Sequence, residues 1–326
     1  MNIIVTGGSG FIGYHLVKNL LTGNNITVIN IDKETYAGKN ATLETEGYKH
    51  YSICITNESE IDQVIRFVQP EYIYHLAAET HVDRSIENPS DFVKTNVLGT
   101  FNLLHAALRY HDTTGKLKKF VHVSTDEIYG SISSSEKSFT EHSRIQPSSP
   151  YSASKAASDH LALSYFTTYG LPVVVTNCSN NYGPNQHSEK FIPTVINHLL
   201  KQKAVPIYGT GENVRDWLFV ADHVEALIKI GKRGIAGERY NIGGNCEQSN
   251  LDMVMIIWEI IEKYRYNGGR KKSFPGINYV IDRKGHDWRY AVDFSKLKDE
   301  LGWSPKTGLK EGLNHTLNYY LDKLNP

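Results

Sequence analysis

The stretch VTGGSGFIG at residues 5–13 limits how this chain can fold more than any other feature. Three glycines with the spacing G-x-x-G-x-x-G (Gly7, Gly10 and Gly13) stand between an apolar run and a helical pattern. Bare backbone at a helix N-terminus suits a dinucleotide pyrophosphate. Asp32 follows Gly13 by 19 residues, near the ~20 expected for a carboxylate that binds ribose hydroxyls. A carboxylate there would repel a 2′-phosphate, which favours NAD over NADP, although the neighbouring Lys33 could tolerate NADP.

Apolar runs alternate with helical patterns over the first 180 residues, as in chains that form a parallel sheet buried on both faces. The predicted strands are 3–6, 26–31, 72–76, 120–124 and 173–177, and the predicted helices are 11–22, 58–68, 92–111 and 152–169. This alternation predicts an α/β fold with a Rossmann-type doubly wound parallel sheet.

The second half of the chain has a different composition, richer in turn residues and aromatics. Its predicted helices are 191–202, 221–231, 251–266 and 308–323. We therefore expect an NAD-binding domain over 1–179 and a smaller C-terminal α/β substrate domain over 180–326. Segments of the second part are expected to return to the first.

Composition excludes several classes of protein. The 35 Lys and Arg residues balance 35 Asp and Glu residues, so there is no electrostatic case for nucleic acid or an anionic membrane. No apolar run approaches the ~18–20 residues of a membrane span, and the N-terminus lacks the basic leader of a signal peptide. Three isolated cysteines predict a reducing, cytoplasmic location. The histidines lack metal-ligand spacing, so no metal site is expected.

Two short motifs carry residues suited to acid–base chemistry. In VSTDEIYG, residues 123–130, Asp126 and Glu127 stand at the mouth of a predicted buried strand, where an ordinary polar turn is the alternative. In PYSASKAASDH, Tyr151 and Lys155 are four residues apart and so share a helix face. An ammonium near a phenol lowers its pKa, which makes Tyr151 a plausible general base. An ordinary surface pair is the alternative here.

The chain resembles the nucleotide-sugar 4,6-dehydratases of the dTDP-glucose type, in the extended short-chain dehydrogenase/reductase superfamily. The resemblance rests on the glycine loop and on DKETYAG, HLAAETHVDRSI, TNVLGT, STDEIYG, YSASKAASDH, NNYGPNQHSEKFIP, PIYGTGENVRDWLFV and GHDWRYAVD. It implies NAD as cofactor, a nucleotide-sugar substrate and a homodimer formed through helices 92–111 and 152–169. The implied reaction converts dTDP- or UDP-glucose to the 4-keto-6-deoxyglucose nucleotide and water. An NDP-sugar 4-epimerase or a related sugar-nucleotide enzyme of the same superfamily is the alternative. A non-catalytic NAD-sensing scaffold is a third hypothesis, against which the intact Tyr151, Lys155, Asp126 and Glu127 argue.

The resemblance also implies residue roles. Tyr151 would remove the C4 hydroxyl proton, Glu127 would take the C5 proton, and Asp126 would protonate the departing C6 hydroxyl. Thr125 would hydrogen-bond the sugar near O4, and Lys155 would span the nicotinamide ribose and the Tyr151 oxygen. The 4-epimerases lack the Asp-Glu pair as a class, so that pair separates the two activities.

The resemblance implies two sets of binding residues. The cofactor set is Gly7, Gly10, Phe11, Ile12, Gly13, Asp32, Lys33, Thr35, Cys54, Ile55, Leu76, Ala77, Ala78, Thr95, Tyr151, Lys155 and Asn181. The substrate set is Thr80, Thr125, Asn180, Lys190, Phe191, Pro206, Tyr208, Arg215, Asn250 and His286.

Within these sets Arg215 is the best candidate for the diphosphate, because guanidinium matches phosphate oxygens bidentately. A structural pair with Asp216 is the alternative. The aromatics of PIYG are expected either to stack on the base or to pack the domain interface. Cys54-Ile55 replaces an Asp-Ile of many relatives, so we expect a backbone carbonyl to receive the adenine amino group. Trp288 stands where a basic residue is frequent.

Overall fold

The computed structural model describes residues 1–36, 38, 43, 45–265 and 272–324. Its strands, in chain order, are β1 (Asn2–Thr6), β2 (Thr27–Ile31), β3 (Tyr48–Tyr51), β4 (Tyr72–His75), β5 (Lys119–Thr125), β6 (Val173–Cys178), β7 (Asn180–Tyr182), β8 (Val205–Tyr208), β9 (Val214–Phe219), β10 (Arg239–Ile242), β11 (Glu247–Ser249), β12 (Ile277–Val280) and β13 (Arg289–Tyr290).

The α-helices, also in chain order, are α1 (Phe11–Leu20), α2 (Glu58–Val68), α3 (Val82–Glu87), α4 (Pro89–Phe92), α5 (Thr100–Thr114), α6 (Pro150–Tyr169), α7 (Phe191–Leu200), α8 (Val220–Arg233), α9 (Asn250–Arg265), α10 (Ser295–Leu301) and α11 (Leu309–Leu324). Ala37 of the DKETYAG motif and residue 266 of the predicted helix 251–266 lie outside the described residues.

A parallel sheet of seven strands organises the described chain, in the order β10-β6-β5-β4-β1-β2-β3. Every strand pair in it is parallel, which confirms the predicted Rossmann-type doubly wound fold. The five predicted strands are all present, but β3 and β10 were not predicted. Both carry polar residues, as in the sequence RYNI of β10, so neither forms the apolar run that marks a buried strand.

Helices cover both faces of this sheet. On one face α2, α5 and α6 bury residues such as Ile61, Leu103 and Ala162. On the other face α1 packs with α8 and α10, which both come from the second half of the chain. Segments after residue 180 therefore supply one strand to the large sheet and two helices to one of its faces.

The predicted helix 92–111 is divided. A π-helical segment, Val93–Gly99, separates the short α4 from α5. Asn96 in this segment accepts a hydrogen bond from the backbone N–H of Glu79 at 2.8 Å and donates to Ser154 on α6 at 2.9 Å. The π-helical segment thereby joins the loop after β4 to the helix that carries Tyr151. Single π turns are frequent at functional sites.

The remaining elements form a second packed unit. Residues of α7, α9 and α11 bury an apolar cluster against β8 and β9. Two small sheets, β11-β9-β13 with β7 paired to β9, and β12-β8, extend this unit over the carboxyl edge of the large sheet. Ligands of open α/β sheets bind at that edge.

Candidate functional site

The glycine loop leaves the backbone bare where β1 turns into α1. Gly7 has φ +73°, and a Cβ on it would stand 2.6 Å from the backbone nitrogen of Ala77. A Cβ on Gly13 would clash with the carbonyl oxygen of Gly7. Gly10 caps the helix without a side-chain acceptor, and the first N–H groups of a helix have no intrahelical partner. The loop therefore fits the diphosphate of a dinucleotide.

Asp32 lies at the end of β2 beside this loop. Its Oδ2 accepts from the backbone N–H of Ser9 at 3.0 Å, and its Oδ1 accepts from that of Glu34 at 2.8 Å. Burial raises the pKa of Asp32, and these two donors oppose the rise. The Nζ of Lys33 lies 3.1 Å from the carboxylate of Glu79. The cation that could tolerate a 2′-phosphate is thus paired elsewhere, which agrees with the prediction of NAD.

Cys54 and Ile55 line a cavity that the glycine loop and Asp32 also line. The carbonyl of Cys54 accepts from the backbone N–H of Asn57 at 2.9 Å, and the carbonyl of Ile55 accepts from Asn102 at 3.2 Å. That one of these carbonyls also receives the adenine amino group stays a prediction.

One cavity collects the whole cofactor set at the carboxyl ends of the parallel strands. The substrate candidates Thr80, Thr125, Asn180 and Lys190 line it as well, together with Asp126 and Glu127. Sequence reasoning missed several further lining residues, namely Glu79, Ser124, Ser179, Gln186, His187 and Glu189. Ser124 lies near the end of β5, and the others follow β4, β6 and β7. This placement was the available signal, because carboxyl ends of parallel strands meet at one edge.

The Asp126-Glu127 pair opens a 3₁₀ turn directly after β5. Thr125 caps this turn, since its Oγ1 accepts from the backbone N–H of Glu127 at 3.2 Å. Asp126 is 2% exposed, and its Oδ2 is buried with no hydrogen-bond partner within the described ranges. Both carboxyls line the cavity, and that they act on a substrate there stays a prediction.

The two carboxyls have different electrostatic surroundings. Burial, then the charges of Glu127 and Asp216, raise the pKa of Asp126 well above its usual value. Burial also raises the pKa of Glu127, but the cations Arg215, Arg283 and Lys190 oppose the rise. These surroundings favour the protonated form more strongly for Asp126 than for Glu127.

Tyr151 and Lys155 lie on the first two turns of α6. A capping box fixes this helix start: the Oγ of Ser149 accepts from the backbone N–H of Ser152 at 3.1 Å, and the reverse bond is 3.0 Å. Tyr151 is 8% and Lys155 5% exposed, so the alternative of a surface pair is wrong.

The prediction that Tyr151 has a lowered pKa is wrong as a net result, because burial has the larger effect. Burial, and after it the charge of Glu127, raise the pKa of Tyr151 well above its usual value. The Lys155 ammonium donates to the carbonyl of Val123 at 2.8 Å. The sequence places both groups on one helix face, but it does not reveal this backbone acceptor.

Arg215 extends from β9 and is buried. Its guanidinium lies 4.2 Å from the ring centroid of Tyr290 and donates to the carbonyls of Asp287 at 2.9 Å and Val214 at 2.7 Å. Asp216 instead accepts from two backbone N–H groups, those of Gly244 and Cys246, each at 2.7 Å. The alternative of an Arg215–Asp216 pair is therefore wrong.

The remaining substrate candidates lie beside the cavity rather than in its lining. They are Phe191, Pro206, Tyr208, Arg215, Asn250 and His286, on α7, β8, β9, α9 and the segment before β13. Phe191 stacks on Trp217, and Asn250 donates its backbone N–H to the carbonyl of Asn213 at 3.1 Å.

Tyr208 is exposed, and its ring is edge-on to His286 at 6.4 Å. Its hydroxyl donates to Asp83 at 3.3 Å. Arg283, which sequence reasoning missed, donates to both oxygens of Asp83, at 2.5 and 3.0 Å. This ion pair joins the β8 unit to α3 next to the cavity.

Two further properties of the described residues bear on the site. No group of three or more His, Cys, Asp or Glu side chains in them is arranged to hold a metal ion. None of the helices in these ranges has the length and apolar character needed to cross a membrane.

Comparisons with known proteins give consistent matches over the full length. The family model described as GDP-mannose 4,6 dehydratase matches residues 4–316. The dTDP-glucose 4,6-dehydratase of Haemophilus influenzae is 47% identical, over 98% of this chain and 98% of that protein. That of Escherichia coli is 44% identical, over 99% and 94%. The solved dTDP-glucose 4,6-dehydratase of Streptomyces venezuelae, with NAD and dTDP bound, is 40% identical and superposes with a TM-score of 0.91, covering 100% of this chain and 98% of that one.

Proposed function

This chain belongs to the nucleotide-sugar 4,6-dehydratase family of the extended short-chain dehydrogenase/reductase superfamily, and from that premise we propose the residue roles by which it removes water from dTDP-glucose. It is an NAD-dependent lyase that converts a nucleoside-diphosphate glucose to the 4-keto-6-deoxy nucleotide. The observation that carries the role assignment is the Asp126-Glu127 pair in one cavity with Tyr151 and the glycine loop. Elimination of water needs a base that acts at one carbon and an acid that acts at the hydroxyl of the neighbouring carbon.

The electrostatic surroundings support an acid role for one carboxyl and a base role for the other. Asp126, whose pKa is raised by burial and by two neighbouring carboxylates, holds a proton for the departing C6 hydroxyl. Glu127, next to three cations, takes the proton from C5. The split follows the rule that unlike surroundings give paired carboxyls opposite protonation states.

Tyr151 accepts the proton of the C4 hydroxyl in this proposal, and Thr125 holds the sugar near O4. NAD, when bound, takes the hydride from C4 and returns it at C6. The glycine loop with Phe11 and Ile12 holds its diphosphate, and Asp32 holds the adenosine ribose. Lys155 orients the nicotinamide ribose and, as a fixed cation, favours the phenolate of Tyr151.

The substrate nucleotide is placed over the carboxyl edge, with its diphosphate near Arg215 and its base towards Tyr208. We choose thymine over uracil because the dTDP-glucose enzymes of H. influenzae and E. coli are 47% and 44% identical to this chain. A methyl group is worth only ~1–3 kcal/mol of discrimination. The preference is thus expected to be about 10- to 100-fold in kcat/KM, not absolute.

The division into a cofactor part, residues 1–179, and a substrate part, residues 180–326, is proposed with one refinement. The strand β10 and the helices α8 and α10 pack with the large sheet and therefore serve the cofactor part. Three free cysteines, Cys54, Cys178 and Cys246, support a reducing, cytoplasmic location.

A homodimer through the α5 and α6 region is proposed from exposed apolar side chains there. Val93 and Leu98 on the π-helical segment are 56% and 47% exposed, and Tyr169 on α6 is 56% exposed. On α6 a stripe of Ala153, Ala157 and Ser164 also faces outward, and its small side chains allow close helix packing. Helices from two copies would bury this surface.

The decisive experiment is incubation of the protein and NAD with dTDP-glucose and, separately, with UDP-glucose. A dTDP product lighter by one water, with no net change in NAD, is expected by mass spectrometry. An isomer of unchanged mass would instead assign a 4-epimerase. Faster turnover of UDP-glucose would overturn the choice of thymine.

A further inference from the structure

A buried ion network lies beneath the cavity, where α6 crosses β5, β6 and β10. Its centre is Asp159, which is 0% exposed. One carboxylate oxygen, Oδ2, accepts from Arg239 at 2.7 Å and from the side-chain amide of Asn177 at 3.0 Å. The other oxygen, Oδ1, lies 3.2 Å from the Nε2 of His122. The roles proposed above use none of these residues.

The network contacts both elements that carry the proposed chemistry. The same Asn177 amide nitrogen donates to the carbonyl of Thr125 at 3.0 Å, the residue from which the Asp126-Glu127 turn begins. On α6, Asp159 is four residues after Lys155 and on the same face. Ser158 donates to the Lys155 carbonyl at 2.8 Å, and His122 lies 3.1 Å from that hydroxyl.

The charges around Lys155 indicate what this network does. Removing an ammonium from water is costly unless an anion compensates it. Burial lowers the pKa of Lys155, and Asp159 is the first group that opposes the fall, followed by Cys178 on β6. Although burial alone would raise the pKa of Asp159, His122 and Arg239 hold it below its usual value, so its carboxylate is charged.

The other titratable groups near Lys155 do not supply a negative charge. They are Tyr151 on α6, His75 on β4, and His122 and Asp126 at β5. Burial lowers the pKa of both histidines and raises that of Tyr151, Asp126 and the Cys178 thiol on β6, which favours the neutral form of each group. Asp159 is thus the carboxylate whose charge acts most strongly on the buried ammonium.

We propose that Asp159 is a positioning residue of this enzyme: held by Arg239 and Asn177, its carboxylate keeps the Lys155 ammonium charged and ties α6 to the end of β5. The inference rests on the proposed function, because it assigns Asp159 a role through Lys155 and Tyr151. It adds to that function the source of the charge on which the tyrosine base depends.

The test is the pH dependence of the first half-reaction, followed as bound NADH absorbance after mixing the NAD-loaded protein with dTDP-glucose. In Asp159→Asn, Lys155 loses its proton more easily, so the alkaline fall in rate should move down by about one pH unit or more, as for loss of a close opposite charge. KM for dTDP-glucose should change less than about twofold, because Asp159 does not line the cavity.

Matched variants separate this role from a structural one. Asp222→Asn removes another buried carboxylate, which accepts the backbone N–H of Thr307 at 2.8 Å; it should lower Tm without moving the pH profile. If Asp159→Asn does not fold, Asp159→Asn with Arg239→Met also removes the guanidinium that Asp159→Asn would leave unpaired, so that Lys155 is the cation that loses its counter-charge. An unshifted profile in the soluble Asp159 variant would overturn the inference alone. Absence of NADH in the parent protein would overturn the proposed function and the inference with it.

Discussion

At the scale of single residues, the two adjacent carboxyls show how position alone separates chemically similar groups. Two carboxylates and one cation, Arg215, act on Asp126, whereas three cations and one carboxylate, Asp287, act on Glu127. The side chains differ by one methylene, but their surroundings push their pKa values apart. The opposite roles proposed for them therefore depend on neighbours from β9, from the residue before α7 and from the segment before β13.

Glu127→Gln should separate oxidation from elimination. An amide cannot take the C5 proton, so bound NADH should accumulate at 340 nm while product formation falls by roughly 10²–10⁴-fold. Stopped-flow absorbance with mass spectrometry of the product measures both steps. Tyr151→Phe should give no NADH signal, and Glu87→Gln, on the exposed end of α3, should behave as the parent. Normal product formation by Glu127→Gln would show that the base is another group.

Replacing both carboxyls by amides should stabilise the fold at neutral pH. Burial raises the pKa of Asp126 and of Glu127. A carboxyl whose folded pKa exceeds its unfolded value contributes stability below the unfolded pKa, and this is lost as pH rises through the folded pKa. Asp126→Asn with Glu127→Gln should therefore raise Tm by a few degrees at pH 7.5 and by less near pH 5.

Differential scanning calorimetry at the two pH values checks this prediction. The size of the gain is of the order expected when strained active-site groups are neutralised. A lower Tm at pH 7.5 would mean that the hydrogen bonds of the two carboxylates outweigh the cost of their burial.

At the scale of elements, the β1–α1 junction holds the cofactor through backbone shape. Gly13→Ala would place a methyl group against the Gly7 carbonyl, so the loop must open. We expect NAD affinity to fall by at least about 10-fold, that is ~1.4 kcal/mol, as measured by isothermal titration calorimetry. Gly308→Ala, where a Cβ meets nothing within 4 Å, is the matched control. Equal affinities would contradict the assignment of this loop to the diphosphate.

At the scale of the whole molecule, the exposed apolar side chains near α5 and α6 predict assembly. Leu98→Glu should convert the dimer to a monomer, because burying an unpaired carboxylate at the interface is costly. Light scattering coupled to size-exclusion chromatography measures the mass. Met255→Lys on α9, also an exposed apolar position at 44%, should leave the mass unchanged. A parent protein that is monomeric would contradict the proposal, and a dimeric Leu98→Glu would place the interface elsewhere.

Local patterns were enough to predict much of the architecture and one end of the site. The glycine loop, Asp32 and the buried parallel strands could be predicted because each is defined by residues that are adjacent or close in the sequence. The strands β3 and β10 were missed because their polar residues interrupt the apolar pattern. Pairing with neighbouring strands, which the sequence pattern does not show, makes them part of the sheet.

The sequence by itself determined that a dinucleotide loop, an adjacent carboxyl pair and a Tyr-x-x-x-Lys helix occur in one α/β chain. Only the tertiary structure decided their charges and partners. The Lys155 contact with the Val123 carbonyl, the Arg215 contacts with backbone carbonyls, and the Arg283–Asp83 ion pair join residues far apart in the chain. A pKa depends on burial and on charges within a few ångströms in space, and neither is encoded in the spacing of residues along the chain.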